Sequence, residues 1–323
     1  MHIPDGFINV ATAAGAGVVA ASGLGASLRR TGRDLAERQI PFAGLTAAFI
    51  FAVQMLNFPV AAGTSGHLLG GGLAAILLGP WLGALAVAVV VFVQALMFAD
   101  GGIVALGLNV LNMALVTALV GWAVFRVLMK ALPRKAPAVM IASMVAAAVS
   151  VVASAGGFVF EYAIGGEGGA PLQAVFQAMV GVHALIGIGE GVITALAVGA
   201  VLAVRPDLVK GVSDLHLPRT ATAPSRRSII VFVIGGLAMA LALVFLVAPI
   251  ASGDPDGLER VAIDTGFIDS ARVHPVGGPL ADYGVSGIEN EQTGTILSGA
   301  IGVGATFLVG LIVATLLRRR RSA

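Results

Sequence analysis

The strongest constraint on this chain is the alternation of long apolar runs with short clusters of Lys and Arg. A run of about 20 apolar residues is what a helix needs to cross the hydrocarbon of a bilayer. In that medium only helices and closed barrels satisfy every backbone N–H and C=O. Composition agrees: 58% of the 323 residues are hydrophobic and 11% are charged. The mean hydropathy of +0.97 is far above that of a soluble domain. The 44 glycines suit helices that approach one another through small side chains. With no cysteine, disulfides and thiolate metal sites are excluded. The expected fold class is an all-α polytopic membrane protein, a seven-span helical bundle plus two C-terminal spans flanking an extracytoplasmic loop.

Basic residues orient the spans. The run 10–28 has no Lys or Arg before it and Arg29, Arg30, Arg33 and Arg38 after it, so the N-terminus is predicted to be extracytoplasmic. A signal peptide would need a basic region ahead of the apolar stretch, so this segment is expected to stay. The run 40–58 leads out to the loop Ala62-Gly63-Thr64-Ser65-Gly66-His67. Residues 68–99 exceed one span, and Gly79-Pro80 breaks them into 68–78 and 81–98. Only with that split does the run 103–125 deliver Arg126, Lys130, Arg134 and Lys135 to the inner side. Residues 139–160 lead out to a loop carrying Glu161 and Glu167, and 179–204 return. The linker 205–228, with Arg205, Lys210, Arg219, Arg226, Arg227 and three prolines, separates a domain 1–204 from a domain 229–323. In the latter, spans 229–248 and 296–317 flank the hydrophilic segment 252–292, and Arg318 to Arg321 anchor a cytoplasmic C-terminus. The predicted location is the cell membrane, multi-pass.

Chemistry concentrates at the start, Met1-His2-Ile3-Pro4-Asp5-Gly6-Phe7. A histidine next to a free α-amine is a chelator. The amine, the deprotonated His2 amide nitrogen and the His2 ring Nδ1 close a five-membered and a six-membered ring around one ion. One place in a square remains. Four coplanar nitrogens suit Ni(II), Cu(II) or low-spin Co(II), whereas Zn(II) prefers a tetrahedron. His67, on the same predicted face, is the candidate fourth ligand. A histidine at position 2 and a lone loop histidine are each ordinarily incidental; their coincidence on one face carries the argument.

The stretches Gln54-Met55-Leu56-Asn57-Phe58-Pro59-Val60 and Gly63-Thr64-Ser65-Gly66-His67-Leu68-Leu69-Gly70-Gly71, with the Met-His-Ile-Pro-Asp-Gly-Phe start, resemble the CbiM/NikM family. Members of that family are the substrate-capture membrane subunits of energy-coupling-factor transporters for cobalt and nickel. The resemblance implies metal ligation by Met1, His2 and His67. It also implies partners: a transmembrane coupling subunit and two ATPase subunits. Pro255-Asp256-Gly257-Leu258-Glu259 and Pro279-Leu280-Ala281-Asp282-Tyr283-Gly284 resemble the companion CbiN/NikN subunit, here fused to the same chain.

Other polar residues inside or at the ends of spans are Gln54, Asn57, Gln94, Asp100, Asn109, Asn112 and Glu190. Such residues face bundle interiors. Asp5, Gln54, Asn57, Ser65, Asn109 and Asn112 are candidates to orient the ligands by hydrogen bonds, with plain interhelical bonding as the alternative. Asp5 could offset the ion's charge or cap a turn. The eight acids of 252–292, Asp254, Asp256, Glu259, Asp264, Asp269, Asp282, Glu289 and Glu291, either concentrate divalent cations or form a solvated loop. Small-residue faces such as Ala13, Gly17 and Ala21 could dock a partner helix or pack internally.

The expected function is capture of divalent cobalt or nickel at the outer face for ATP-driven uptake by partner subunits. The chain has no phosphate-binding loop of its own. The alternative is an ATP-independent metal channel or secondary transporter. A third reading is a membrane metalloenzyme built on His183 and Glu190, disfavoured because no His-Glu-x-x-His pattern occurs. No enzyme activity, catalytic cofactor or nucleic acid is expected; Co2+ or Ni2+ is cargo.

Overall fold

Asn9 opens the first helix by accepting a hydrogen bond from the Thr12 amide at 2.9 Å, an N-cap that starts α1 (Val10–Asp34) just past the docked N-terminus. In this computed structural model, which describes residues 1–61, 63–213 and 225–319, the chain is predominantly helical. The middle of the predicted linker, including Arg219, Pro218 and Pro224, and Arg320 with Arg321 lie outside the described residues.

After α1 come α2 (Gln39–Gln54), an antiparallel hairpin of β1 (Phe58–Ala61) and β2 (Thr64–Gly66), and α3 (Gly71–Leu78). Next are α4 (Pro80–Val93), extended by a π-helical turn Gln94–Phe98, and α5 (Leu106–Asn109), which runs through a π segment Val110–Val116 into α6 (Thr117–Ala131). Then follow α7 (Ala136–Gly165), α8 (Leu172–Val204), α9 (Arg226–Leu246), the short α10 (Gly257–Thr265) and α11 (Glu291–Arg319).

Among the described residues seven helical stretches are long and apolar enough to cross a membrane. Two of the nine expected spans are shorter. α2 stops at Gln54 rather than running to residue 58, because Pro59 disfavours helical geometry at Phe58 and feeds the chain into β1. α3 has 8 residues, or about 12 Å at 1.5 Å per residue, so it crosses less than half of a bilayer. Gly79, at φ 88°, turns the chain into Pro80 at the first position of α4.

α4 is the axis of the bundle. In its apolar window 78% of residues are buried, against 22% for α1 and 17% for α9. α11 lies along α2, where a Cβ on Gly310 would stand 3.1 Å from the Cα of Gly44. This contact takes up Ala43 and Ala47 of α2, and Ala48 and Ala52 of the same helix are buried as well. The small face of α1 is also internal in part: a Cβ on Gly107 would come within 2.4 Å of the Cα of Gly17.

Basic side chains gather at one end. Arg30 lies 4.2 Å from the Trp81 ring centre, Arg38 is 3.9 Å from Asp207, and Arg318 pairs with Glu37. The opposite end holds the N-terminus, the hairpin, the loop after α4 and segment 252–292. That segment is not a solvated loop. Leu258, Val261, Ala262 and Phe267 are buried, and α10 packs on α8.

Candidate metal centre

The N-terminal arm is threaded into the bundle by backbone groups. Asn109 clamps Ile3 twice, accepting from its amide at 2.7 Å and donating to its carbonyl at 3.0 Å. Gly102 donates to the Ile3 carbonyl at 2.9 Å, Arg272 to the Asp5 carbonyl at 2.7 Å and Glu167 to the Phe7 carbonyl at 2.9 Å. Ile3 and Phe7 are fully buried. Phe7 meets Phe267 edge-on with ring centres 4.9 Å apart. Gly6 has φ 98° and touches the Ser270 carbonyl so closely that a Cβ would stand 2.0 Å from it, so only glycine fits.

This threading brings the Met1 amine against Nε2 of His67. The tautomer of His67 is set locally. Nδ1 donates to the Leu68 carbonyl at 3.0 Å, which leaves Nε2 with the free lone pair. The His2 ring stacks on His67, with centres 5.1 Å apart and planes at 20°. His2 Nε2 lies 3.1 Å from the Gln94 amide oxygen, and Nδ1 lies 3.1 Å from Asp100. Burial, only partly offset by Asp100, lowers the His2 pKa to about 4, so the ring is neutral near pH 7. Closing a chelate through Nδ1 therefore exchanges Asp100 for an ion.

Asp256 completes the cluster. Its Oδ2 is 2.7 Å from the Met1 nitrogen and 3.4 Å from His67 Nε2. Burial would raise this carboxyl, but the N-terminal ammonium beside it overcomes burial and holds it well below the usual range. Tyr283, from the second C-terminal motif, donates to Asp100 at 2.7 Å. One motif of the C-terminal region thus approaches His67 directly, and the other reaches His2 through Asp100. In the sequence Asp256 is one of eight acids and part of the Pro-Asp-Gly-Leu-Glu motif, without a role of its own, and nothing there pairs Asp100 or Gln94 with His2. The motif around Asp256 was visible; contacts across 255 and 92 residues were not.

The remaining candidates support the frame. Gln54 donates to the Leu69 carbonyl at 2.9 Å. Ser65 donates to the Asp254 carbonyl at 2.8 Å. Asp5 accepts from the Ala105 amide at 2.9 Å, holding the loop after α4 rather than capping its own turn. Asn57 lies beyond the end of α2, so it does not share a helix face with Gln54; its carbonyl accepts from Ser252 at 2.8 Å. Asn112 donates to Glu161 at 2.7 Å, away from the imidazoles. The π segment that begins at Val110 shifts the register that would align Asn112 with Asn109. Glu190 accepts from the Leu69 and Gly70 amides, the latter at 3.0 Å, and so holds the backbone that leads into α3. His183 donates from Nδ1 to the Met179 carbonyl at 2.9 Å. Among the described residues, no three His, Asp or Glu side chains converge as a metal cluster.

Comparison with known proteins places these features in a family setting. Residues 2–208 match the family described as the cobalt uptake substrate-specific transmembrane region, and residues 231–319 match the PDGLE domain. The putative fused nickel transport protein NikMN of Archaeoglobus fulgidus is 34% identical over 310 residues, covering 96% of this chain and 97% of that protein. The fused nickel transport protein NikMN of Rhodobacter capsulatus is 31% identical, covering 94% of each. The cobalt transport protein CbiM of Geobacter sulfurreducens is 31% identical over 71% of this chain and 67% of its own length. A crystal structure described as a transition metal transporter superposes with a TM-score of 0.57 at 30% identity, covering 67% of this chain and all of that one.

Proposed function

Because the chain belongs to the cobalt uptake substrate-specific transmembrane family, fused to a PDGLE domain, we propose that it is the metal-capturing component of an energy-coupling-factor importer for divalent nickel or cobalt. In this reading the cargo is held by the Met1 amine, the His2 amide and ring nitrogens, and His67 Nε2. The observation that carries it is the contact of the Met1 amine with the free lone-pair nitrogen of His67, beneath the stacked His2 ring. The want of any three-residue His, Asp or Glu cluster among the described residues agrees with a site that draws on main-chain nitrogen.

Ligation requires the amine and the His2 amide to give up protons, so affinity falls as pH drops. The buried arm supplies its ligands at fixed spacing, which avoids an ordering cost when the ion arrives. Residues 1–204 form the capture domain, 205–228 a cytoplasmic linker, and 229–323 a domain whose loop 252–292 closes over the site. The protein sits in the cell membrane with its N-terminus outside and its C-terminus inside; the gathering of basic side chains at the end away from the site supports this orientation. A transmembrane coupling subunit and two ATPase subunits supply the work of transport, since the chain has no phosphate loop. It carries out no chemical conversion of its own.

The test is titration of Ni(II) and Co(II) into purified protein with its native Met1 and into protein with one residue added before it. Extension should abolish stoichiometric binding, as should His67→Ala. Equal binding by the extended protein overturns the amine as a ligand, and with it this reading of the site.

A further inference from the structure

We propose that Asp256 of the C-terminal domain is an axial oxygen ligand to the captured ion, converting a four-nitrogen square into a square pyramid. The inference rests on the ligand set proposed above. With metal–ligand bonds of about 2.0–2.1 Å, neighbouring ligands in a right-angled coordination sphere stand about 2.9 Å apart. Asp256 Oδ2 is 2.7 Å from the Met1 nitrogen and 3.4 Å from His67 Nε2, a neighbour's spacing from both. The amine and His67 are themselves adjacent corners of the proposed square. An atom neighbouring two adjacent corners is not a third corner, because each remaining corner lies opposite one of them. It lies above the plane.

The carboxylate is built to present one oxygen. Its Oδ1 accepts from the Glu259 amide at 2.9 Å and caps α10, which leaves Oδ2 to face the site. The helix start is fixed from two sides. Ser65, two residues before His67, donates its amide to the Pro255 carbonyl at 2.9 Å. Gly257 presses so closely on α8 that a Cβ would stand 2.6 Å from Ile186 and 3.0 Å from Val182. Charge points the same way. A divalent ion bound by one deprotonated amide keeps a net single positive charge, and the Asp256 carboxylate cancels it in a site of low dielectric.

The ligand class this geometry takes is a borderline divalent transition ion that accepts four nitrogens and one oxygen, such as five-coordinate Ni(II), Co(II) or Cu(II). A carboxylate is also the harder ligand and the natural first contact for a hydrated ion. Asp256 therefore serves as a ligand and as the point where the C-terminal domain enters metal loading.

The test uses the full chain loaded with Ni(II), comparing wild type with Asp256→Asn, which keeps shape and cap but not charge, and Asp256→Ser, which keeps a capping oxygen but not the reach. Wild type should give paramagnetic five-coordinate Ni(II). Asp256→Ser should give the diamagnetic square-planar form, with affinity lower by roughly 10-fold or more. Asp256→Asn should fall between, and hydrogen exchange of α10 should show the helix still docked in that variant. Diamagnetic Ni(II) in wild type, or identical spectra and affinity in all three, overturns the proposal while leaving the nitrogen site standing. Binding that survives extension of Met1 removes the nitrogen site instead, so the two failures are distinct.

Discussion

The N-terminal arm and the turn around Asp256 reach the same few ångströms from opposite ends of the chain, and they are held there in different ways. The arm is bonded to the loop after α4, to Asn109, to the loop after α7 and to Arg272, with Ile3 and Phe7 buried beneath. The turn is anchored to the hairpin through Ser65 and to α8 through the close contact of Gly257. The first behaves as part of the bundle core. The second is a helix end held by one main-chain bond and by the buried face of α10. In the proposed site, the ligands of fixed spacing come from the arm and the oxygen that would admit the ion comes from the turn.

The comparison breaks most readily at Asn109. Asn109→Leu leaves the Ile3 amide buried without a partner, while the Ile3 carbonyl keeps its bond from Gly102, at a cost of roughly 1–3 kcal/mol. Metal affinity should fall by about 10-fold or more, and hydrogen exchange of residues 1–9 should rise while α10 is less affected. If α10 loosens first, the arm is not the more rigid part.

Acid should separate the two regions next. The His2 pKa lies near 4 in the folded protein, below its ordinary 6.5, mainly through burial. The unfolded or undocked arm therefore binds a proton more readily. Docking is at full strength above about pH 6.5 and is lost as pH falls towards about 4, by roughly 3 kcal/mol in all. The Asp256 carboxyl, held well below the usual range, keeps its charge through that window. Protease or exchange protection of the arm should thus weaken between pH 6.5 and 4 even without metal; a flat profile contradicts the burial of His2.

Gly257→Val sharpens the other side. Its side chain would push α10 off Ile186 and Val182, costing roughly 1–3 kcal/mol, and should raise exchange across α10 with the arm still protected. The smallest effect is expected from Ser65→Ala, which removes the bond to the Asp254 carbonyl but keeps the backbone bond to Pro255. About 1 kcal/mol of α10 docking should be lost, visible as a modest rise in the metal dissociation rate.

Much of this was legible in the sequence for a physical reason. Span positions follow from apolar length and basic flanks, and those properties are local. The pairing of Met1 and His2 with His67 was legible because two unusual residues fell on one predicted face. Partners of His2 were not, since Gln94 and Asp100 meet it only through the turn of α4 into its π-helical end. Glu190 reads as one half of a His/Glu pair, but its carboxylate holds the Leu69 and Gly70 amides just ahead of α3, a long-range contact that no local pattern marks. The π segment 110–116 likewise has no period that marks it, yet it sends Asn109 to the arm and Asn112 to Glu161.

The packing of α9 and α11 against α2 has one more consequence. It tethers the PDGLE turn within reach of His67, so the meeting of Asp256 with the site is a first-order event. Joining two modules in one chain sets an effective concentration on the order of millimolar. In a crowded or sparsely populated membrane alike, the fraction of sites covered by Asp256 stays the same, whereas a companion supplied as a separate chain would be diluted by lateral diffusion.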